Sequence, residues 1–467
     1  MRIGRLLLYA SLLLSNVLAA QGSFVYIDQI SMEGNRRTKE DVVLRELRFH
    51  KGDSLPISLL SQALEESEQL IMNTGLFQRA NISFKNWEGS TNKVHIHIVV
   101  EETWYIYPVP IVELVDRNFN VWWVEQQRSL DRINFGIEFT HLNFTGRRDK
   151  LKLTAKYGYT RSYSVKYNLP AINRAKTIGI DTEVSFARNR EVNYATVGNK
   201  QEFYKDRDRF LYQRFGSGLG VTYRPGHHLF HRLYLAYRQN AIDNLIAEEF
   251  NPNFFLDGRN LSRYFAMEYR FIYDRRDVRP YPLKGSFLEI NLKKDGLGFF
   301  SDRNALTLWA DFARYFTLSP RFHFSISPKF KLSLIRNQQP YIDYRAIGFG
   351  RNNIHGFEYY IVDGLDMAIL KTTIRYRLFN MELNFGKLVP IKAFRRMPIR
   401  VFLTLNNDTG IASDPYYGDD NPLNRQLLWG GGPGIDFIFY YDKVLRVEFS
   451  MNHLGEKGLF LHFNTNI

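Results

Sequence analysis

At 467 residues, with 45% hydrophobic and 15% aromatic content, the chain is long enough for two or three domains, or for one large barrel with an appendage. It contains no cysteine, which excludes disulfides, thiol catalysis and thiolate metal sites. A formal charge of +14 would suit nucleic acid, but the basic residues are interleaved singly along strand-like segments rather than clustered.

Residues 1–20 read as a secretory signal: Arg2 and Arg5 are followed by the apolar run Leu6 to Val17 and the small residues Ala19 and Ala20. That run falls short of the roughly 20 residues a spanning helix needs, and no apolar run of about 18 residues follows it. An exported chain meets little nucleic acid, so none is expected as a partner. Its charge is expected to face anionic lipid headgroups or a polar lumen.

Residues 24–103 have the grammar of a small α+β module. Phe24 to Ile27 and Ile30 suggest a strand, and Glu33-Gly34-Asn35 a turn. Thr38 is placed to cap a helix with Val42, Val43, Leu44 and Leu47 on one face. A second helix after Ser58 carries Leu59, Leu60, Leu64, Leu70 and Ile71 and stops at Asn73-Thr74-Gly75. Ala80 to Phe84 and Val94 to Val100 alternate as two further strands around Glu88-Gly89-Ser90. The joint spacing of Gly34-Asn35, Gly52-Asp53, Gly75-Leu76-Phe77 and the strand ending at Glu101-Glu102 resembles a polypeptide-transport-associated (POTRA) domain. That resemblance implies that Gly34 and Asn35 make the first turn. It also implies that Gly75, Leu76 and Phe77 close the second helix and tuck a phenylalanine under the sheet.

Residues 104–130 read as an apolar and aromatic connector, and from 131 the pattern becomes period two. Between Phe322 and Leu334 an apolar set (Phe322, Phe324, Ile326, Phe330, Leu332, Leu334) alternates with His323, Ser325, Ser327, Lys329, Lys331 and Ser333. Lysines repeated on one strand face cannot pack in a dry core. They fit a water-filled lumen whose outer wall meets lipid. Strands are expected at 131–142, 148–158, 161–169, 175–188, 189–203, 207–224, 228–241, 260–274, 284–295, 302–317, 320–335, 363–380, 397–407, 428–440, 442–453 and 457–467, sixteen in all. With the soluble module in the periplasm, the long connections 242–259, 336–362 and 408–427 fall outside the cell, and short turns such as Tyr441-Asp442-Lys443 fall inside. The fold class is therefore an N-terminal α+β domain followed by a 16-stranded antiparallel transmembrane β-barrel over 131–467, with 336–362 as a loop carrying its own apolar residues.

The barrel half is similar to the BamA/TamA-like (bacterial surface antigen) superfamily of outer-membrane assembly and translocation proteins. Asp274, Arg276 and Asp277 with Pro282 and Gly285 resemble that family's turn between strands eight and nine. Asp408 and Gly410, following strand thirteen, stand where the family has an Asp-x-Gly. In the loop between strands eleven and twelve, after Gly350 and Arg351, Ile354-His355-Gly356-Phe357 stands in place of a V/I-R-G-F/Y motif. The resemblance implies that the loop inserts into the lumen and pairs its arginine with the Asp-x-Gly aspartate. Histidine replaces that arginine here. Either His355 is protonated beside Asp408, or Arg351 supplies the guanidinium, or the loop is held loosely. A second departure is the C-terminal Ile467, where the family commonly ends in an aromatic.

No catalytic residues, cofactor or metal site are expected. His95 and His97, and His227, His228 and His231, lack supporting ligands, and no phosphate loop or nucleophile elbow is present. The resemblance implies an outer-membrane location in a diderm bacterium, with the POTRA domain in the periplasm. The partners it implies are outer-membrane lipids and client outer-membrane or secreted polypeptides, with room for accessory periplasmic proteins. The expected function is insertion, assembly or translocation of clients by β-strand templating at the POTRA edge and at the seam between 131–142 and 457–467. The alternative is a passive or secretory pore gated by 336–362.

Overall fold

The computed structural model describes residues 24–464 apart from 89–90, 174, 301, 387–395 and 440–442. The signal segment 1–20, the turn residues Gly89, Ser90, Tyr441 and Asp442, and the terminal Ile467 lie outside the described residues. The chain divides into two compact units. One runs up to Tyr107 and takes in Thr140–Leu151; the other comprises Pro108–Phe139 and Lys152–Ile467.

In the first unit, β1 (Phe24–Glu33), α1 (Glu40–Leu44), β2 (Ser54–Pro56), α2 (Ile57–Met72), β3 (Phe77–Glu88) and β4 (Lys93–Glu102) follow in chain order. The sheet order is β2-β1-β4-β3, with β1 parallel to β4 and the other pairs antiparallel. Val25, Ile27, Ile96 and Ile98 point from the sheet onto Val43, Phe49, Leu60, Leu64 and Ile71, and this cluster is the core. Leu76 and Phe77 close it beneath the end of α2. Thr38 does not cap α1: the residue before the helix is Lys39, without a side-chain cap. The carboxylate of Glu102 instead accepts the backbone N–H groups of Arg37 and Thr38 at 3.0 and 2.6 Å. The Thr38 hydroxyl meets the Tyr105 hydroxyl at 2.8 Å and accepts from the Asn143 amide at 2.9 Å. Asn143 thereby joins this unit's interior, while Phe144, Thr145 and Arg147 of the same loop are exposed.

The second unit is built on a 16-stranded sheet of consecutive antiparallel strands. These are β5 (Ile106–Leu114), β6 (Ile133–Leu142), β7 (Lys150–Gly158), β8 (Thr160–Leu169) and β9 (Ile178–Asn189). After a separate hairpin, β10 (Glu191–Val197) and β11 (Lys200–Lys205), the sheet resumes with β12 (Tyr212–Tyr223), β13 (Leu229–Ile242) and β14 (Leu261–Asp274). It continues through β15 (Gly285–Asp295), β16 (Ala305–Thr317), β17 (Phe322–Ser333), β18 (Asp366–Asn384) and β19 (Arg396–Ser413). It ends with β20 (Leu428–Ile438), β21 (Val444–Asn452) and β22 (Lys457–Asn464).

The expected total of sixteen is met, but two of its members change. The expected connector 104–130 contains β5, so 131–142 is the second strand and not the first. Of the expected strand 189–203 only Asn189, the last residue of β9, lies in the large sheet; β10 and β11 pair only with each other. The two differences cancel by the sixth strand, which leaves the segment between β17 and β18 in the expected eleventh-to-twelfth position. Asp408 and Gly410 lie within the thirteenth strand, not after it.

The faces follow the period-two pattern. On β17, Phe322, Phe330 and Leu332 are exposed, whereas His323, Ser325, Lys331 and Ser333 are buried. On β21, Phe449 and Met451 are exposed and Glu448, Ser450 and Asn452 are buried. Apolar side chains outside and polar ones inside invert the order of a soluble protein, and suit a wall whose outer surface meets lipid. The sheet curls until distant strands meet: Tyr281, in the β14–β15 turn, donates to Asp436 on β20 at 2.9 Å.

The first unit's opening turn is sterically fixed. Gly34 has φ +93°, and a Cβ there would lie 1.8 Å from the Val100 carbonyl oxygen on β4. Gly34→Ala should cost roughly 2 kcal/mol or more, read as a lower temperature at which 24–103 in the full chain becomes protease-sensitive. Unchanged resistance would mean that this turn does not constrain the sheet.

Candidate functional site: a buried ion network and a guarded strand edge

The connection from Leu334 to Leu365 packs against the buried face of β18 to β21. Three features hold its ends. The Lys331 ammonium donates to the carbonyls of Asp343, Arg345 and Gly364 at 3.2, 2.9 and 2.8 Å. Ile347 and Val362 form a β-bridge across its neck. Ala346, Ile347, Ile354, Phe357 and Val362 join Met367, Ile369, Ala412, Leu423 and Leu428 in one apolar cluster.

Glycines on the wall make room for it. A Cβ on Gly430 would sit 1.9 Å from the His355 carbonyl oxygen, and one on Gly410 would sit 2.6 Å from Ile354 Cδ1. Gly356 has φ +83° and crowds the Met451 carbonyl, while its own oxygen accepts from Asn452 Nδ2 at 2.7 Å. Gly430 therefore serves close approach of a second chain segment.

His355 stands at the centre. Its Nδ1 donates to Asp408 Oδ2 at 2.6 Å, and its Nε2 lies 3.2 Å from Glu448 Oε2. Both ring nitrogens face carboxylate oxygens, and only the doubly protonated imidazolium satisfies both. Burial pushes the His355 pKa down, but Asp408 and Glu448 outweigh it and raise the value to about 9. Lys371 reaches Asp408 at 3.2 Å, Asn406 and Ser450 donate to Glu448 at 3.3 and 3.0 Å, and His462 lies 3.4 Å from Glu448 and 3.7 Å from Glu358. Among the described residues Asp408 is met by His355 and Lys371. Arg351 is exposed and takes no part in the network.

Glu358, Glu448 and His462 bring three potential metal ligand atoms within 4.8 Å of one another. Both Glu448 oxygens already accept from neighbours, so the group is read as an ion cluster rather than a metal centre.

The other motif residues form a separate assembly. Asp274 accepts both nitrogens of Arg276 at 2.8 and 2.9 Å and pairs with Arg279 at 3.2 Å. Asp277 accepts the N–H groups of Val278 and Leu283 at 2.8 and 3.1 Å. Gly285 has φ +108°, with room for a Cβ blocked by the Arg275 carbonyl. Pro282 lies in the same turn, which folds Tyr281 onto Phe402, Ile438 and Val444.

A third feature had no sequence signal. The sheet ends on β5 and β22. The edge of β22 is met by the side chain of Asn120, which donates to the Leu459 carbonyl at 2.7 Å and accepts the Leu461 N–H at 3.3 Å. One amide thus imitates a short stretch of partner strand. Its segment is anchored on the long loop: Arg117 donates to the carbonyls of Tyr359 and Tyr360 at 3.1 and 2.8 Å, and Asn118 to that of Glu358 at 2.7 Å. The other end strand, β5, carries Pro108 and Pro110, which lack the N–H a ladder needs.

If His355 is the latch, His355→Ala should lower the temperature at which the barrel loses its heat-modifiable mobility on gels, by about 3 kcal/mol of stability, because two buried carboxylates lose their shared cation. Arg351→Ala should leave that temperature unchanged. A folded-state pKa raised above the unfolded value gives stability that is full below about 6.5 and is lost as pH rises through about 9. Melting temperature should therefore fall across that window more steeply in the native chain than in His355→Ala, where His462 beside Glu448 keeps a share of the dependence; parallel pH profiles would mean that His355 carries none of it.

Residues 25–103 match the family model POTRA, surface antigen variable number repeat, and residues 143–363 match the Omp85 superfamily domain. No curated protein sequence matches the chain. Among solved structures, BamA from Haemophilus ducreyi lacking POTRA domains 1–3 aligns over 94% of this chain and 83% of its own, at 14% identity and a TM-score of 0.54. CdiB from Acinetobacter baumannii aligns over 94% and 73%, at 10% identity and a TM-score of 0.53. These likenesses are of fold. With a POTRA domain, an Omp85 domain and a sixteen-stranded antiparallel sheet in one chain, the protein belongs to the Omp85 superfamily of outer-membrane β-barrel proteins.

Proposed function

We propose that the chain handles client polypeptides at the outer membrane by strand templating: a client strand adds to the outer edge of β22 after Asn120 has left it. One observation carries this reading: among the described residues the outer edge of the end strand pairs with no other strand, and its Leu459 carbonyl and Leu461 N–H meet a single side chain instead. Unpaired strand edges template β-addition. Replacing one amide costs far less than separating a row of backbone hydrogen bonds. The His355 latch keeps the long loop in place, the loop's carbonyls hold Arg117 and Asn118, and these hold Asn120. Movement of the loop therefore couples to release of the edge.

In this reading the POTRA domain faces the periplasm and offers a second strand edge to clients or accessory proteins. The chemistry is mechanical, with no enzyme step. A passive or secretory pore gated by the loop would require the loop to leave the wall, and the burial of Ile354, His355 and Phe357 weighs against that.

A photo-crosslinker at Leu461 should capture outer-membrane or secreted chains in cells, and Asn120→Ala should raise the yield several-fold. If no chain is captured, or the yield ignores Asn120, the templating reading fails. Anion conductance without capture would support the pore.

A further inference from the structure

Beneath the tip of the long loop lies a cavity of about 690 Å³, within the range of small-molecule sites. Its lining includes Arg276, Arg279, Arg351, Lys371, Arg375 and Arg446, with no aspartate or glutamate among the lining residues. Carboxylates beside these cations account for part of this charge. Asp436 holds Arg446 at 2.7 and 3.0 Å, Asp408 holds Lys371, and Asp274 is shared between Arg276 and Arg279.

Arg375 is different. Among the described residues no carboxylate pairs with it at salt-bridge distance, Asp436 acting on it only through its charge, and its Nε and Nη1 are buried without a hydrogen-bond partner. Its guanidinium carbon lies 5.1 Å from the centre of the Tyr281 ring, a contact that satisfies none of its donors. Buried guanidinium donors without acceptors are costly, and a ligand that supplies acceptors removes that cost. Arg351, exposed at the rim of the same cavity, likewise meets no carboxylate among the described residues.

We propose that this cavity is an anion site for a phosphate group, bound by Arg375 from the wall and Arg351 from the loop. Phosphate is favoured over a peptide carboxylate because it concentrates more charge and more acceptor oxygens on one centre. That matches a planar guanidinium fork assisted by further cations. The phosphate could belong to a lipid headgroup or to a free ion, and the chemistry of recognition is shared. Because Arg351 sits on the loop that also carries His355, occupancy would tie the loop to β18.

The test uses the full-length mature chain in phosphate-free neutral detergent, with titration calorimetry against inorganic phosphate, a short-chain phosphatidic acid and a polyglutamate peptide. Saturable phosphate binding is expected, weakened roughly tenfold by Arg375→Gln and less by Arg375→Lys. Arg351→Gln alters an exposed residue and should also weaken binding, so the proposal stays testable if the Arg375 variants fail to fold, which gel heat-modifiability reports. Tighter binding of phosphatidic acid, displaced by phosphate, assigns a lipid headgroup; binding of phosphate alone assigns the free ion. The proposal is overturned if phosphate binding is absent, if it is indifferent to both arginines, or if polyglutamate binds in preference.

Discussion

The pairing of His355 with Asp408 and Glu448 is the contact on which the rest of the second unit's organisation depends. Two carboxylates on the inner face of separate strands would repel each other in a poorly hydrated interior, and the imidazolium between them turns that repulsion into a clamp. The clamp fixes the backbone around Gly356 and Phe357. That in turn fixes the carbonyls of Glu358, Tyr359 and Tyr360, onto which Arg117 and Asn118 dock. Asn120 follows three residues after Arg117 and lands on β22. A charge cluster inside the wall is thereby connected, through short and rigid steps, to the state of the sheet's last edge.

The two ends of the sheet are guarded by different means. β5 carries two prolines, and β22 carries a borrowed amide. Both devices discourage indiscriminate pairing of an exposed edge. They differ in reversibility, because prolines are permanent whereas a side-chain cap can leave. An edge that must sometimes accept another chain is better served by the second device.

How much of this could be read from sequence depended on whether the relevant physics was local. Gly34, Gly75 and the period-two strands were legible because turn geometry and face alternation are written in adjacent residues. The position of the long loop was legible for the same reason. β5 was not, since Pro108 and Pro110 demote a run that would otherwise read as a strand. β10 and β11 were mistaken for wall because a hairpin that pairs only with itself has the same alternation as one that joins a sheet. The role of Thr38 was misassigned because Glu102, 64 residues away, supplies the acceptor that a helix cap would have supplied. Asn120 carried no signal at all: its partners lie 339 and 341 positions along the chain. The choice between His355 and Arg351 stayed open in sequence because both lie in one loop, and only the packing of Ile354 and Phe357 decides which turns inward.

The clamp depends on the charge state of His355. Nitrogen-15 NMR of the histidine-labelled chain, with His355→Gln used to assign the signal, reads both ring nitrogens directly. Both should be protonated at neutral pH and stay so until about pH 9. A neutral, singly protonated ring at pH 7 would rule the clamp out, since one ring nitrogen would then face its carboxylate without a proton.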